Sequence, residues 1–311
     1  MNSHSQPAAT RRQFLRTTTS LLGASALLPG AALAAEGAAA AAAPKRAILK
    51  GIMWGTIGPG KTVREKMDAA KAAGFAGVEL MSHMKHEDVL AALQATGLKA
   101  ASVCGSHHWA VPLSHPAEAQ REKALEALKQ TIRDAKAYGA TSILLVPGTV
   151  GKNTTYEECW TRSVEQIKKA VPLAEELGVV IAIENVWNEF ITDQKEAVRY
   201  LDAFNSPWVK WHFDVGNIIY YGDPIEWVKA LGPRISRLHI KEYSRDKAMK
   251  KGKWEGFNAK FLEGANDWAG IMKALDKHGY TGGWGIAEQG GGGTPAGMKD
   301  LADRMDTIFA S

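Results

Sequence analysis

Five times along this 311-residue chain a helix-like stretch ends on glycine and a short apolar run begins at once. Lys71-Ala72-Ala73-Gly74 leads into 75–80, Gln94-Ala95-Thr96-Gly97 into 98–103, and Lys136-Ala137-Tyr138-Gly139 into 141–146. Glu175-Glu176-Leu177-Gly178 leads into 179–184, and Asp276-Lys277-His278-Gly279 into 280–288. Glycine closes a helix because it reaches the left-handed conformation without a Cβ clash. Three further runs, 48–54, 209–214 and 235–240, bring the strand candidates to eight. The runs are short and largely unalternated, as expected of strands buried on both faces of a parallel sheet. Amphipathic stretches separate them, such as 116–138 with Ala124, Leu125, Leu128 and Ile132 on one face. Eight strands alternating with helices predict an α/β fold of the (β/α)8 TIM-barrel kind, a single domain over 48–311. An open doubly wound sheet is the rival, but Trp54-Gly55-Thr56-Ile57-Gly58-Pro59-Gly60 after the first run does not match its phosphate-binding fingerprint.

The first 34 residues read as a leader rather than as part of the barrel. Arg11-Arg12-Gln13-Phe14-Leu15 precedes a modest apolar run broken by Pro29, and Ala32-Leu33-Ala34 is a small-x-small cleavage site. This resembles the twin-arginine export class, and implies a periplasmic or secreted protein without stable membrane insertion. The Ala-rich residues 35–47 read as a linker. Charge belongs to the mature chain: the formal +5 contains Arg11, Arg12 and Arg16, and losing residues 1–34 leaves +2. A near-neutral domain gives little support for nucleic acid as a partner. Cys104 and Cys159 cannot form a disulfide framework for a domain of this size.

Four consecutive strand candidates carry a metal-type ligand at or near their ends. They are Glu184 in Ile-Ala-Ile-Glu-Asn, Asp214 in Trp-His-Phe-Asp, His239 in Leu-His-Ile, and Glu288 in Ile-Ala-Glu. In a barrel the carboxyl ends of the strands converge on one face, where catalytic groups gather. Three carboxylates meeting there repel one another in a partly dry cleft, and a divalent cation relieves that repulsion. The seventh unit is longer than the rest: 244–266 carries Lys247, Lys250, Lys251, Lys253, Trp254 and Phe257. Its length and embedded aromatics mark it as a lid or binding loop.

From about residue 48 to the end the chain resembles the xylose isomerase-like TIM barrel superfamily, in its single-metal sugar (phosphate) isomerase and epimerase branch. Ile-Glu-Asn at Glu184, Phe-Asp-Val-Gly-Asn at Asp214, Leu-His-Ile-Lys at His239, Ala-Glu-Gln at Glu288 and Gly264-Ala265-Asn266-Asp267-Trp268 carry the resemblance. It implies that Glu184, Asp214, His239 and Glu288 hold one divalent metal, Mn²⁺ foremost, with Mg²⁺, Co²⁺ or Zn²⁺ as alternatives. It also implies that Glu184 and Glu288 exchange protons with the substrate. Carboxylates and a metal suit removal of a proton next to a carbonyl through an enediolate. Returning the proton gives epimerisation or isomerisation, whereas expelling a group from the next carbon gives β-elimination. The same four residues serve all three outcomes.

Further polar and aromatic residues are expected at the same mouth. Trp54 is assigned as a sugar-stacking wall and Glu79 as a hydrogen-bond partner of the substrate. His107, beside His108, is expected on the substrate, with Lys241 balancing charge and Arg245 at a basic position of some relatives. Asn217 stands where relatives often have His. The expected partner is a small-molecule sugar or glycoside, non-phosphorylated or oxidised if the chain is exported. A 3-keto-glycoside lyase is the alternative, and a non-catalytic sugar-binding barrel a third reading. The superfamily also includes apurinic-site endonucleases, whose three-zinc cluster needs more ligands than these strand ends place. A homo-oligomer is compatible with the sequence, which does not set the oligomeric state.

Overall fold

The computed structural model describes residues 46–311. The expected leader and most of the expected linker lie outside the described residues. Eight strands are present: β1 (Ala47–Met53), β2 (Gly77–Met81), β3 (Lys99–Cys104), β4 (Ser142–Leu145), β5 (Val180–Glu184), β6 (Val209–Asp214), β7 (Ile235–Ile240) and β8 (Gly282–Ala287). The helices between them are α1 (Val63–Ala73), α2 (His86–Thr96), α3 (Glu118–Tyr138), α4 (Tyr156–Leu177), α5 (Gln194–Asp202), α6 (Val215–Ile219) and α7 (Pro224–Leu231). After β7 come α8 (Arg245–Lys251) and α9 (Trp268–Lys277), and α10 (Pro295–Ala310) follows β8. Gly74 (φ 97°) and Gly178 (φ 67°) end α1 and α4 in the left-handed conformation, which makes them the helix stops that the sequence pattern implied.

Every strand runs parallel to the next, and β8 returns to pair with β1 from Ala47↔Gly282 to Ile52↔Ala287, closing the barrel. The large core lies between the sheet and the helices, where Phe75, Ile132, Ile167, Phe213 and Ile271 are buried. Two small clusters fill the barrel itself: Ala101, Trp284 and Ile286 with Met53, and Cys104, Leu144 and Val146 with Met81 and Val186. Side chains alternate faces along a strand, so the interior position of one residue sets that of the residues two away. On β7 this sends Arg237, His239 and then Lys241 inward. Arg237 spans the interior, its Nε on the Ala101 carbonyl at 3.0 Å and its Nη2 on Thr141 Oγ1 at 2.7 Å. Two residues further along, the same face of β7 delivers His239 to the open end. Among the described residues, no helix is long and apolar enough to cross a membrane.

Candidate metal centre and active site

Glu184 ends β5 and Asp214 ends β6, while His239 is opposite Asp214 in the β6–β7 register. Glu288 follows β8 directly, its N–H donating to the Ile240 carbonyl at 3.1 Å. One donor atom from each of Glu184, Asp214, His239 and Glu288 lies within 4.8 Å of all the others. His239 Nδ1 is 2.8 Å from Glu184 Oε1, 3.2 Å from Glu288 Oε2 and 3.8 Å from Asp214 Oδ2. Asp214 Oδ1 accepts the Asn217 N–H at 2.7 Å and so caps α6. Its other oxygen is buried without a hydrogen bond, although Lys241 Nζ lies 3.3 Å away. Lys241 Nζ instead donates to Glu288 Oε2 at 2.8 Å.

The electrostatics of this cluster call for a further cation. Burial pushes the Asp214 carboxyl up to about 8, against the opposing pull of Lys241. Burial also raises Glu184, despite His239 beside it. For Glu288 burial works the same way, but Lys241 and His239 hold it well below the usual carboxylate range. Burial lowers the Lys241 ammonium, yet Asp214, Glu288 and Glu184 outweigh it and keep the ammonium charged. The protein's own two cations therefore leave Asp214 and Glu184 short of counter-charge. A divalent ion would supply what is lacking. Three carboxylates and an imidazole, one carboxylate oxygen still without a hydrogen bond, are a donor set that suits such an ion.

The far side of His239 is also engaged. Its Nε2 lies 2.8 Å from Glu79 Oε2, and Glu79 is fully buried. The ring of His212 packs edge-on to that of His239 at 4.1 Å. His212 is buried with neither ring nitrogen hydrogen-bonded, and burial followed by the charge of His239 keeps it neutral.

An open cavity of about 400 Å³ rises from the cluster, walled by Met53, His108, Trp109, Trp187, Trp254 and Phe257. Asn217 and Lys241 also line it, as expected. Glu79 lines it too, fully buried, with its Oε2 2.8 Å from His239 Nε2. Three other expectations need correction. Trp54 points out of the barrel and packs on the outer core under Lys66; Met53 takes the inward position. His107 bonds to Ser106 Oγ at 2.9 Å, and its neighbour His108 lines the cavity. Arg245 is turned to the Ile219 carbonyl at 3.0 Å, in a separate surface pocket with Tyr220, Tyr243 and Met249. Sequence reasoning missed Trp187, three residues after Glu184, whose Nε1 donates to the Asn217 carbonyl at 2.9 Å. The long segment is folded: α8 and a 3-10 turn at Lys253–Phe257 present Trp254 and Phe257 to the cavity.

A closed parallel barrel with a carboxylate–histidine cluster at its carboxyl end matches a known family. Residues 67–308 match the model of the xylose isomerase-like TIM barrel, and the chain belongs to that family. A putative L-ribulose-5-phosphate 3-epimerase of Escherichia coli (strain K12) is 27% identical over 252 residues, covering 76% of this chain and 84% of that protein. The D-allulose 3-epimerase from Methylomonas sp. shares the fold with a TM-score of 0.69 at 19% identity, covering 85% of this chain and 99% of that one. A 3-keto-D-glucoside 4-epimerase from E. coli superimposes with a TM-score of 0.70 at 16% identity, covering 84% of this chain and 98% of that one.

Proposed function

We propose that this chain is a metal-dependent sugar isomerase or epimerase acting on a non-phosphorylated or oxidised sugar. Its sequence relatives are sugar 3-epimerases, and the chain is an enzyme of the isomerase/epimerase type. The observation that carries the metal-dependent reading is the convergence of donor atoms of Glu184, Asp214, His239 and Glu288 within 4.8 Å of one another, with Glu184, His239 and Glu288 lining an open cavity. Asp214 and His239 act as ligands, and Glu184 and Glu288 as ligands that also exchange protons. When bound, a divalent ion, Mn²⁺ foremost, supplies positive charge that acidifies the carbon next to the sugar carbonyl. Lys241, 2.8 Å from Glu288, keeps that carboxylate anionic and able to accept a proton. Glu184 arrives from β5, on the other side of β6 and β7, and so approaches a bound sugar from a different direction. Asn217 and His108 offer hydrogen bonds to its hydroxyls.

The cavity argues against a phosphorylated substrate. Among the described residues that line it, Lys241 is the one Lys or Arg, and it is already shared between Glu288 and Asp214. The exported location expected from Arg11-Arg12 fits a free or oxidised sugar equally well. A second reading, a 3-keto-glycoside lyase, draws on the aromatic walls Trp187, Trp254 and Phe257. There a carboxylate takes the C2 proton, the C1–C2 double bond forms as the C1–O bond breaks, and the aglycone leaves as its anion to be protonated by water.

One experiment separates these readings. Metal-loaded protein is incubated in D₂O with free ketoses and with 3-keto-glucosides. An epimer or isomer carrying solvent deuterium is the expected result, and released aglycone would select the lyase. Binding without exchange would select the non-catalytic barrel. A chain that retains no divalent ion on dialysis and exchanges no substrate proton contradicts the proposal.

A further inference from the structure

The aromatic surface does not stop at the sugar-sized floor. Trp187 is its hub: ring centroids of Trp254, Phe257, Tyr220, Tyr221 and Tyr243 lie 4.7, 4.8, 5.1, 5.6 and 5.8 Å from it. Lys253 Nζ lies 5.4 Å from the Trp187 ring and 5.5 Å from that of Trp254, bracing the outer tryptophan. Along this surface burial falls steeply. His239 on the floor is 2% exposed, whereas Trp254 is 62% and Trp109, across on the β3 loop, is 55% exposed. Single exposed aromatics are ordinary, but two indoles left open on different loops of one catalytic mouth form a patch that a ligand would cover. The groups suited to hydroxyls (Asn217, His108, Lys241) are more buried than these indoles, so a sugar held on them leaves the rim to whatever it carries.

We infer that the substrate is a sugar bearing a flat aromatic group, held at the rim by Trp254 and Trp109. This rests on the cavity being a sugar site, and it adds the chemistry of the attached group. Continuity favours this occupant: both indoles line the same cavity as Glu288 and His239. Offset or edge-on stacking on two indoles is worth on the order of tenfold in affinity over an aliphatic group.

Phenyl β-D-glucoside and methyl β-D-glucoside are the probes, because neither has a ketone and so neither can be deprotonated at C2. Their dissociation constants are measured by titration calorimetry on the metal-loaded full chain. The phenyl glucoside is expected to bind at least tenfold more tightly. That ratio is expected to fall to about threefold or less in Trp254→Ala and, separately, in Trp109→Ala, with the melting temperature of each variant checked as a control for folding. Equal binding of the two glucosides, or a ratio that survives in both variants, overturns the inference. If neither glucoside binds while a free ketose is epimerised, the sugar reading stands and the aromatic subsite falls. If neither binds and no ketose exchanges its proton, the proposed function falls with it. Self-association abolished by Trp254→Ala would assign the rim to a second copy of the chain and also overturn the inference.

Discussion

Glu79 reaches His239 from within the barrel, its Oε2 2.8 Å from Nε2, and so turns the other ring nitrogen toward the three carboxylates. A carboxylate can only accept from that nitrogen, which fixes the tautomer a metal ligand needs. Glutamine could donate as well as accept, so Glu79→Gln is expected to weaken divalent-ion affinity about 10–100-fold. Competition with a chelator measures it, and an unchanged affinity would remove the orienting role. His108 supports a pH prediction. Burial first, then the neighbouring His107, pushes its pKa down to about 4, and its Nδ1 accepts the Val146 N–H at 3.4 Å. The unfolded chain protonates this side chain below about 6.5 and the folded one only near 4. Its contribution is therefore whole above pH 6.5 and shrinks as pH falls toward 4. Between pH 7 and 4.5 urea unfolding should show about 2–3 kcal/mol more loss in the wild type than in His108→Asn. Equal losses would contradict the assignment. The four clustered residues, Glu184, Asp214, His239 and Glu288, were legible because each interrupts an apolar run at or near a strand end. The facing of their neighbours was not, since a strand buried on both faces has no polar alternation to betray which residue turns inward. Met53 and Trp54 are both bulky and apolar, and the clue was Gly51, two before Met53, where an added Cβ would meet Ile286 at 3.1 Å.

The segment after β7 is held by two residues that follow strands. Glu242 Oε2 accepts the Leu262 N–H at 2.8 Å and the Trp268 indole N–H at 2.9 Å, and Oε1 accepts the Asn266 N–H at 3.2 Å. Gln289 accepts the Glu242 N–H at 2.9 Å and donates to the carbonyls of Phe257 and Ala259. Gly264 passes so close to the Glu242 carboxylate that a Cβ there would collide with it. Glu242→Ala leaves these donors without their buried acceptor and is expected to cost about 2–4 kcal/mol. Hydrogen exchange should rise over residues 253–266 and stay unchanged in β5 and β6. Exchange rising uniformly would mean that Glu242 supports the whole barrel rather than the cavity wall. Length and embedded aromatics marked this segment as a binding loop in the sequence. Its anchors did not show, because an acid two residues past a strand has the same look whether it faces solvent or collects backbone N–H groups. The strands themselves were legible to within two or three residues, since glycine stops and β-rich runs are local signals.

At the scale of the molecule, the seam between β1 and β8 joins the first and last strands and is the pairing with the greatest separation along the chain. Closing it costs the most loop entropy, so interactions across it are expected to form late. Arg46, just before β1, spans the seam: its Nε donates to Asp276 Oδ1 at 2.8 Å and its Nη1 to the Phe309 carbonyl at 2.7 Å. Its side chain is 9% exposed, whereas the nearby Lys50–Asp306 pair has an aspartate that is 61% exposed. The two contacts should therefore differ in worth. Arg46→Ala is expected to destabilise by about 1.5–3 kcal/mol, lowering the melting temperature by about 5 °C, and Lys50→Ala by less than about 1 kcal/mol. If the seam closes after the rate-limiting step, almost all of the Arg46 effect appears as faster unfolding, with the refolding rate unchanged. Stopped-flow folding and unfolding limbs of both variants test this. A refolding rate slowed in proportion to the lost stability would instead put closure of the ring inside the folding nucleus, and with it the strand ends that carry Glu288 and the rest of the site.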